Sequence, residues 1–469
     1  MPDQPNILLI TADDMNWDAV GAYGCPVEGT TPTIDRLAAE GMRFDHAHVT
    51  IAVCQPSRSA IMTGRYPHRS GGEGFHHLRT PGVPILPELL RGNGYRVGIL
   101  GKVPHSTPYE DFQWDMTWDM DDLGHGRNPA IYRQYASAFI DEAKVAERPF
   151  FLMLNSHDPH RPFHGNDKPE WHEEGDLPAA AIPSRTFTPD EITTPGCLPD
   201  LPDVRHEIAE YYSSVRRCDD TVRAALAILR HAGCEESTLV VFLSDNGMAF
   251  PFAKTNCYLN STRTPWIMRW PGTIQPGSCD AEHLISGIGL MPTLLDAAGI
   301  APPAGVDGRS FLPLLRGEKQ SGRDVVFTQF HQTAGRRNYP MRCVQSRHFG
   351  YIFNPWSDGE RVFKNESQAG RTMRAMQAAA ENDPAIAERV ELFLHRVPEE
   401  LYDFRNDPNA LHNLIEDPRY VTELRSLQTE LERWMAAVAD PALAAFRDRG
   451  SPTSLNRFVQ QTADALGGE

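Results

Sequence analysis

Asn6-Ile7-Leu8-Leu9-Ile10-Thr11-Ala12-Asp13-Asp14 is an apolar run that stops abruptly in two carboxylates. Apolar residues without polar alternation predict a strand buried on both faces, as in a parallel sheet between helical layers. Three further runs have the same form. Tyr95-Arg96-Val97-Gly98-Ile99-Leu100 ends in Gly101-Lys102, and Phe150-Phe151-Leu152-Met153-Leu154 ends in Asn155-Ser156-His157-Asp158-Pro159-His160. Thr238-Leu239-Val240-Val241-Phe242-Leu243 ends in Ser244-Asp245-Asn246-Gly247. Between them lie helical patterns. Ile34, Leu37 and Ala38 share a face before Gly41, and Val204, Ile208, Tyr211, Val215, Val222, Leu226 and Leu229 trace a long amphipathic helix ending by Gly233. This alternation predicts a doubly wound α/β sheet, whose ligands bind beyond the carboxyl ends of the strands. All four ends carry ionisable or metal-binding residue types, so they predict one shared site.

The chain of 469 residues is long enough for a large domain with a smaller one attached. The spacing predicts a catalytic domain over 1–318 and a C-terminal subdomain over 319–469. In the latter, 324–328 and 349–353 read as strands of a small antiparallel sheet. Glu400-Leu401-Tyr402-Asp403-Phe404 and Asn406-Asp407-Pro408 precede a closing helix near 421–438. The segment 176–202, rich in Pro and Thr, reads as a long surface loop shaping substrate access. A net charge of −17 weighs against nucleic acid or an anionic membrane surface as partner, and against capture of a long polyanion. It leaves room for a small anionic ligand in a locally basic pocket. No apolar run approaches a membrane span. The first residues lack a basic region, so no signal peptide is read and a cytoplasmic location is expected. The eight cysteines are scattered without a C-x-x-C pair, which argues for a reducing compartment and against a disulfide scaffold.

Cys54-Gln55-Pro56-Ser57-Arg58 follows the apolar Val49-Thr50-Ile51-Ala52-Val53 and opens a predicted helix running to Thr63-Gly64-Arg65. Pro56 suits a first helical turn, which places Cys54 where backbone N–H groups and the positive end of the helix dipole converge. Arg58, one turn on, can point a guanidinium at the same spot. A nucleophile beside anion-binding donors and a fixed cation suits attack on a sulfate or phosphate ester. Taken alone, the cysteine reads equally well as a small buried residue. Asp13, Asp14, Asp245 and Asn246 are oxygen donors that suit a hard cation, and three converging carboxylates without one would repel. Each pair by itself also reads as a strand-end turn.

Together these stretches resemble the type I sulfatases, in the Cys-x-Pro-Ser-Arg signature and the Thr-Gly-Arg that closes it. The resemblance implies an alkaline-phosphatase-like sandwich: an α/β fold with a large mixed, mostly parallel sheet and a smaller C-terminal antiparallel sheet. It implies that a maturation enzyme oxidises Cys54 to formylglycine, whose hydrate is the nucleophile, with Asp245 taking its proton. It implies one divalent cation, Ca²⁺ first with Mg²⁺ or Mn²⁺ as alternatives, bound by Asp13, Asp14, Asp245, Asn246 and the modified Cys54. Lys102 matches the lysine of the family's Gly-Lys-x-His, while His105 stands one residue farther along. His160, in His157-Asp158-Pro159-His160, and Lys254 match the sulfate contacts that protonate the leaving group; His105 is matched to the final deprotonation. Within the family, His157-Asp158-Pro159-His160-Arg161, the segment 244–256 and Gly74-Phe75-His76-His77 look closest to the heparan N-sulfatases. The implied activity is sulfate release from a small sulfated molecule of N-sulfoglucosamine type. The alternatives are an O-sulfatase on aryl or sugar sulfates, a phosphonate monoester hydrolase or phosphodiesterase, and a binder whose Cys54 is never converted.

Overall fold

The computed structural model describes residues 4–166 and 181–467. Its first ten strands are β1 (Asn6–Ala12), β2 (Met42–Phe44), β3 (Ala47–His48), β4 (Arg96–Leu100), β5 (Met116–Trp118), β6 (Phe150–Asn155), β7 (Thr238–Ser244), β8 (Trp266–Arg269), β9 (Ser278–Asp280) and β10 (Ile285–Ser286). Eight form one sheet in the order β5-β4-β6-β1-β7-β8-β2-β9, and β3 pairs with β10 beside it. The block β5-β4-β6-β1-β7 is parallel throughout, whereas β8 is antiparallel to both β7 and β2. The sheet is therefore mixed and mostly parallel.

β1 sits between β6 and β7 in registers that pair Thr11 with Asn155 and Ala12 with Ser244. The residues that follow these partners leave the sheet side by side, so the four polar strand ends meet at one edge. Alternate residues feed two cores. Leu8 and Ile10 join Leu152, Leu154, Val240 and Phe242 under the helices Pro129–Val145 and Pro202–Ala232. Ile7 and Leu9 join Phe151, Met153, Leu239 and Val241 under the helix Leu290–Ala297. This period of two, buried on both sides, is why the strands read as continuous apolar runs.

The smaller sheet is antiparallel and ordered β11 (Val325–Gln332), β12 (Asn338–Ser346), β13 (Phe349–Phe353), β14 (Glu399–Asp403). Its outer face carries the helix Val421–Ala437, with Trp434 stacked on Phe327 at 4.9 Å between ring centres. β12 was not expected. Pro340 inside it cannot donate to a ladder, and a bulge accommodates it: between the pairs Phe330–Met341 and Gln332–Asn338, Tyr339 and Pro340 of β12 stand opposite the single His331 of β11. The helices Arg371–Ala380 and Pro384–His395, also unexpected, send Met373, Met376 and Phe393 into the core beneath β1. Of the predicted loop 176–202, residues 176–180 lie outside the described residues; the remainder includes the short 3-10 helix Pro189–Glu191 and buries Phe187, Ile192 and Leu198. Among the described residues no helix is long and apolar enough to cross a membrane. The eight cysteines are free.

Candidate active site

Cys54 is the first residue of the helix Cys54–Thr63, all ten residues of which are buried. Its Sγ lies 3.2 Å from Asp13 Oδ1 and 3.9 Å from Asp14 Oδ1. Asp13, Asp14, Asp245 and Asn246 are fully buried, and oxygens of the three carboxylates lie within 4.8 Å of one another. Gly247 is required behind them, because a Cβ there would fall 1.8 Å from the carbonyl oxygen of Asn260. Asp14, Lys102 and Thr255 are non-glycine residues with φ of 70°, 51° and 69°. Such left-handed conformations cost free energy and concentrate at functional sites.

Arg58 does something other than the sequence suggested. It is fully buried behind the cavity wall and braces three strand ends at once. Nε donates to Asp245 Oδ2 at 2.8 Å and Nη2 lies 2.7 Å from the same oxygen. Nη1 donates to Asn155 Oδ1 at 2.6 Å and Thr11 Oγ1 at 3.0 Å. A guanidinium held this way orients Asp245; it does not point into open space. The carboxylates around Cys54 have different partners. The oxygen against Sγ is that of Asp13, while Asp245 accepts from Arg58 and, through Oδ1, from the Asp14 N–H at 3.2 Å.

Lys102 forms an ion pair with Asp13, and its backbone N–H donates to His157 Nε2 at 3.1 Å. That bond makes His157 an acceptor that fixes the backbone at Lys102. The extra residue before His105 is taken up in the single helical turn Val103–Ser106, which carries the imidazole to the cavity wall, edge-on to Phe75 at 5.5 Å. Lys254 is buried, with Nζ 2.8 Å from Asp14 and 2.6 Å from Glu366. His160 Nε2 lies 3.8 Å from Asp14 Oδ2 and 4.0 Å from Glu366 Oε2. The loop carrying His160 is anchored by Asp158, whose carboxylate takes a two-pronged contact from Arg217 of the long helix at 2.7 and 2.8 Å.

Electrostatics follow from this crowding. Burial pushes Asp14 and Asp245 up to about 7, with Lys254 and Arg58 respectively opposing and the neighbouring carboxylates adding. Burial acts on Asp13 too, yet the cations of Lys102, Arg58 and Lys254 hold it well below the usual carboxylate range. The Cys54 thiol is driven well above its ordinary value by burial and by Asp13. Burial lowers His160 to about 4, helped by Lys254, and His105 to about 3, helped by Lys102. The proton-bearing groups at the mouth are therefore the lysines, and the imidazoles are neutral.

The donor set fits a hard cation. Asn246 Nδ2 donates to Asp14 Oδ1 at 2.7 Å, while Asn246 Oδ1 is buried without a hydrogen-bond partner. An orphaned carbonyl oxygen beside three carboxylates, two of them lifted by burial and then by one another, is a ligand set of oxygens alone. A cavity of about 950 Å³ opens over Cys54, Lys102, His105, His160 and Lys254 and continues to the segment 364–374. Sequence reasoning missed Asn155, Arg217 and Glu366. Asn155 and Asp158 stood in a quoted strand end without a role; Glu366 has no signal in its local sequence.

The profile described as Sulfatase matches residues 5–300, and the one described as N-sulphoglucosamine sulphohydrolase, C-terminal, matches residues 248–356. The N-sulphoglucosamine sulphohydrolase of Homo sapiens is 30% identical over 94% of this chain and 91% of its own length. Among solved structures, a 2-O GAG sulfatase superposes with a TM-score of 0.68 at 24% identity, covering 95% of this chain and 94% of its own. The phosphonate monoester hydrolase of Agrobacterium radiobacter superposes with a TM-score of 0.67 at 18% identity, covering 92% and 96%. At those identities the structural likeness is one of fold.

Proposed function

We propose that this chain, which belongs to the sulfatase family, releases inorganic sulfate from a small sulfated amino sugar, with an N-sulfoglucosamine-type unit as its first choice. Its fold is the alkaline-phosphatase-like sandwich, and it is an enzyme of the sulfatase type. The observation that carries the reading is the position of Cys54. It stands at a helix start against Asp13 and Asp14, with Lys102, Lys254, His105 and His160 on the surrounding wall. The choice of an N-sulfated sugar is supported by the similarity to the human N-sulphoglucosamine sulphohydrolase and by the C-terminal profile match.

An enclosed, neutral thiol is a weak nucleophile, so the reading requires conversion of Cys54 by a formylglycine-generating maturation enzyme, which would supply a hydrated aldehyde at this position. Asp13, Asp14, Asp245 and Asn246, with the side chain at 54, would hold Ca²⁺, Mg²⁺ or Mn²⁺, which supplies positive charge where sulfate oxygens bind. Lys102 and Lys254 bind the remaining sulfate oxygens. Asp13 Oδ1 is the oxygen nearest the side chain at 54, while Arg58 orients Asp245 and only opposes the rise that burial gives it, which leaves Asp245 the stronger base for the nucleophile's proton. Lys254, charged in the resting site, holds a proton on the leaving-group side, and His160 beside it hydrogen-bonds the departing atom.

Peptide mass spectrometry and a substrate panel on one preparation test the proposal. The Cys54 peptide is expected to be lighter by roughly 18 Da. The value of kcat/KM for N-sulfoglucosamine is expected to exceed that for glucosamine 6-sulfate, an aryl sulfate and a phosphonate monoester by about a thousandfold. A lead for the phosphonate ester sinks the sulfohydrolase reading; a lead for an O-sulfate removes only the N-sulfo choice.

A further inference from the structure

We propose that Glu366 selects for a nitrogen leaving group: its carboxylate accepts a hydrogen bond from the bridging N–H of a sulfamate and disfavours the bridging oxygen of a sulfate ester. The inference rests on the sulfohydrolase reading of the cavity and concerns a residue to which that reading gives no role. Glu366 lines the cavity with its side chain 29% exposed. Oε1 lies 2.6 Å from Lys254 Nζ, and Oε2 lies 4.0 Å from His160 Nε2. It therefore stands beside the two groups assigned to the departing atom.

The residue is held in place from both sides. Asn365 Nδ2 donates to Thr255 Oγ1 at 2.6 Å, next to Lys254. Beyond the turn Glu366–Ala369, the N–H groups of Arg371 and Thr372 donate to Glu207 at 2.9 and 2.7 Å. The backbone under Glu366 is thereby fixed, and the ion pair with Lys254 holds the carboxylate itself over the cavity.

The chemistry of the two leaving atoms differs at one point. A sulfamate nitrogen carries a hydrogen, whereas an ester oxygen presents lone pairs only. Lys254 can donate to either atom. An ionised carboxylate can only accept, so it pairs with the N–H and opposes the ester oxygen. Sites built to hydrogen-bond a substrate N–H reject the analogue that lacks it far more strongly than apolar pockets reject a change of size.

The test is Glu366→Gln, close in shape and able to turn its amide NH₂ towards an ester oxygen. N-sulfoglucosamine and glucose 2-sulfate, which exchange nitrogen for oxygen at one position, are compared by kcat/KM. The N-to-O ratio is expected to fall about tenfold or more relative to the unsubstituted enzyme. A ratio unchanged within about twofold in a folded variant overturns the proposal, since loss of Lys254 positioning alone would depress both substrates together. If the variant is inactive, the same ratio is read from dissociation constants in a Cys54→Ala background. If it fails to fold, Glu366→Asp is read in the same way and is expected to shift the ratio in the same direction. An unsubstituted enzyme that cleaves the O-sulfate and leaves the N-sulfate intact overturns the N-sulfo reading along with this one. One that prefers the N-sulfate, with a ratio insensitive to position 366, overturns this inference alone.

Discussion

Replacing Arg58 by lysine keeps the buried charge and removes the fork that carries it. Arg58 reaches Asp245 at 2.8 and 2.7 Å, Asn155 at 2.6 Å and Thr11 at 3.0 Å, joining the ends of β7, β6 and β1. A lysine ammonium presents its three donors from one point and cannot face both directions. If it stays on Asp245, Asn155 Oδ1 and Thr11 Oγ1 each lose a charged donor, and Asn155 keeps only the Thr11 hydroxyl at 2.6 Å. Each such loss costs about 1–3 kcal/mol, so Arg58→Lys is expected to lose about 2–6 kcal/mol of stability. Urea unfolding followed by tryptophan fluorescence measures it, with a lower midpoint and an unchanged slope as the expected signature. Because Asp245 loses its orienting partner, kcat/KM should fall by about a hundredfold as well, the scale expected of an ångström-sized displacement. A variant within about 1 kcal/mol of the original that keeps most of its activity would show that Arg58 is not the brace described here.

Two further outcomes follow from the same geometry. Asp14 and Asp245, raised from 3.8 to about 7, bind protons in the folded chain that the unfolded chain has already released, so metal-free stability should decline as pH rises through that window. A cation must displace those protons, and the gain in Tm from added Ca²⁺ over EDTA should be larger at about pH 8 than at about pH 5; equal gains would refute the assigned ligand set. Lys254→Met removes an ammonium 2.8 Å from Asp14 and 2.6 Å from Glu366 and should lower kcat by about a hundredfold or more, whereas Lys254→Arg should keep most of it. Steady-state kinetics decide, and a Met variant retaining a large share of activity would remove Lys254 from the reaction.

The main sheet was readable because its strands are buried on both faces and their apolar runs have sharp ends. β1, β4, β6 and β7 emerge within two residues of the expected bounds. The edges were not readable. β2, β5, β8 and β9 are three or four residues long, too short to show a period. β12 was hidden by Pro340, which local reasoning correctly treats as a strand breaker and which a bulge in β12 itself, at Tyr339-Pro340, reconciles. The sequence singled out Asp13, Asp14, Cys54, Lys102, Asp245, Asn246 and Lys254 because each adjoins a strand end or a motif, and the fold brings them together. What the sequence could not supply was the direction in which Arg58 points. A helix start fixes where that side chain begins, while its partners, Asn155 and Asp245, come from two other strands.

The same contrast separates the two halves of the cavity. The half that handles sulfate is built from four neighbouring strand ends, where topology forces convergence and local sequence announces it. The half facing the leaving group is closed by the segment 364–374, which no strand of the main sheet carries and which reaches the cavity only because β11–β14 and the helices 371–380 and 384–395 pack against the main core. Residues there answer to tertiary packing alone. Glu366 is brought to Lys254 from a separation of more than a hundred residues, and its own neighbours, Asn365 and Ser367, give no hint of the ion pair. The C-terminal profile ends at residue 356, before this segment begins. Reaction type is thus written in the part of the chain that pattern reading reaches. The choice between nitrogen and oxygen leaving groups lies in the part that only the folded structure displays, which makes position 366 the informative place to interrogate the substrate.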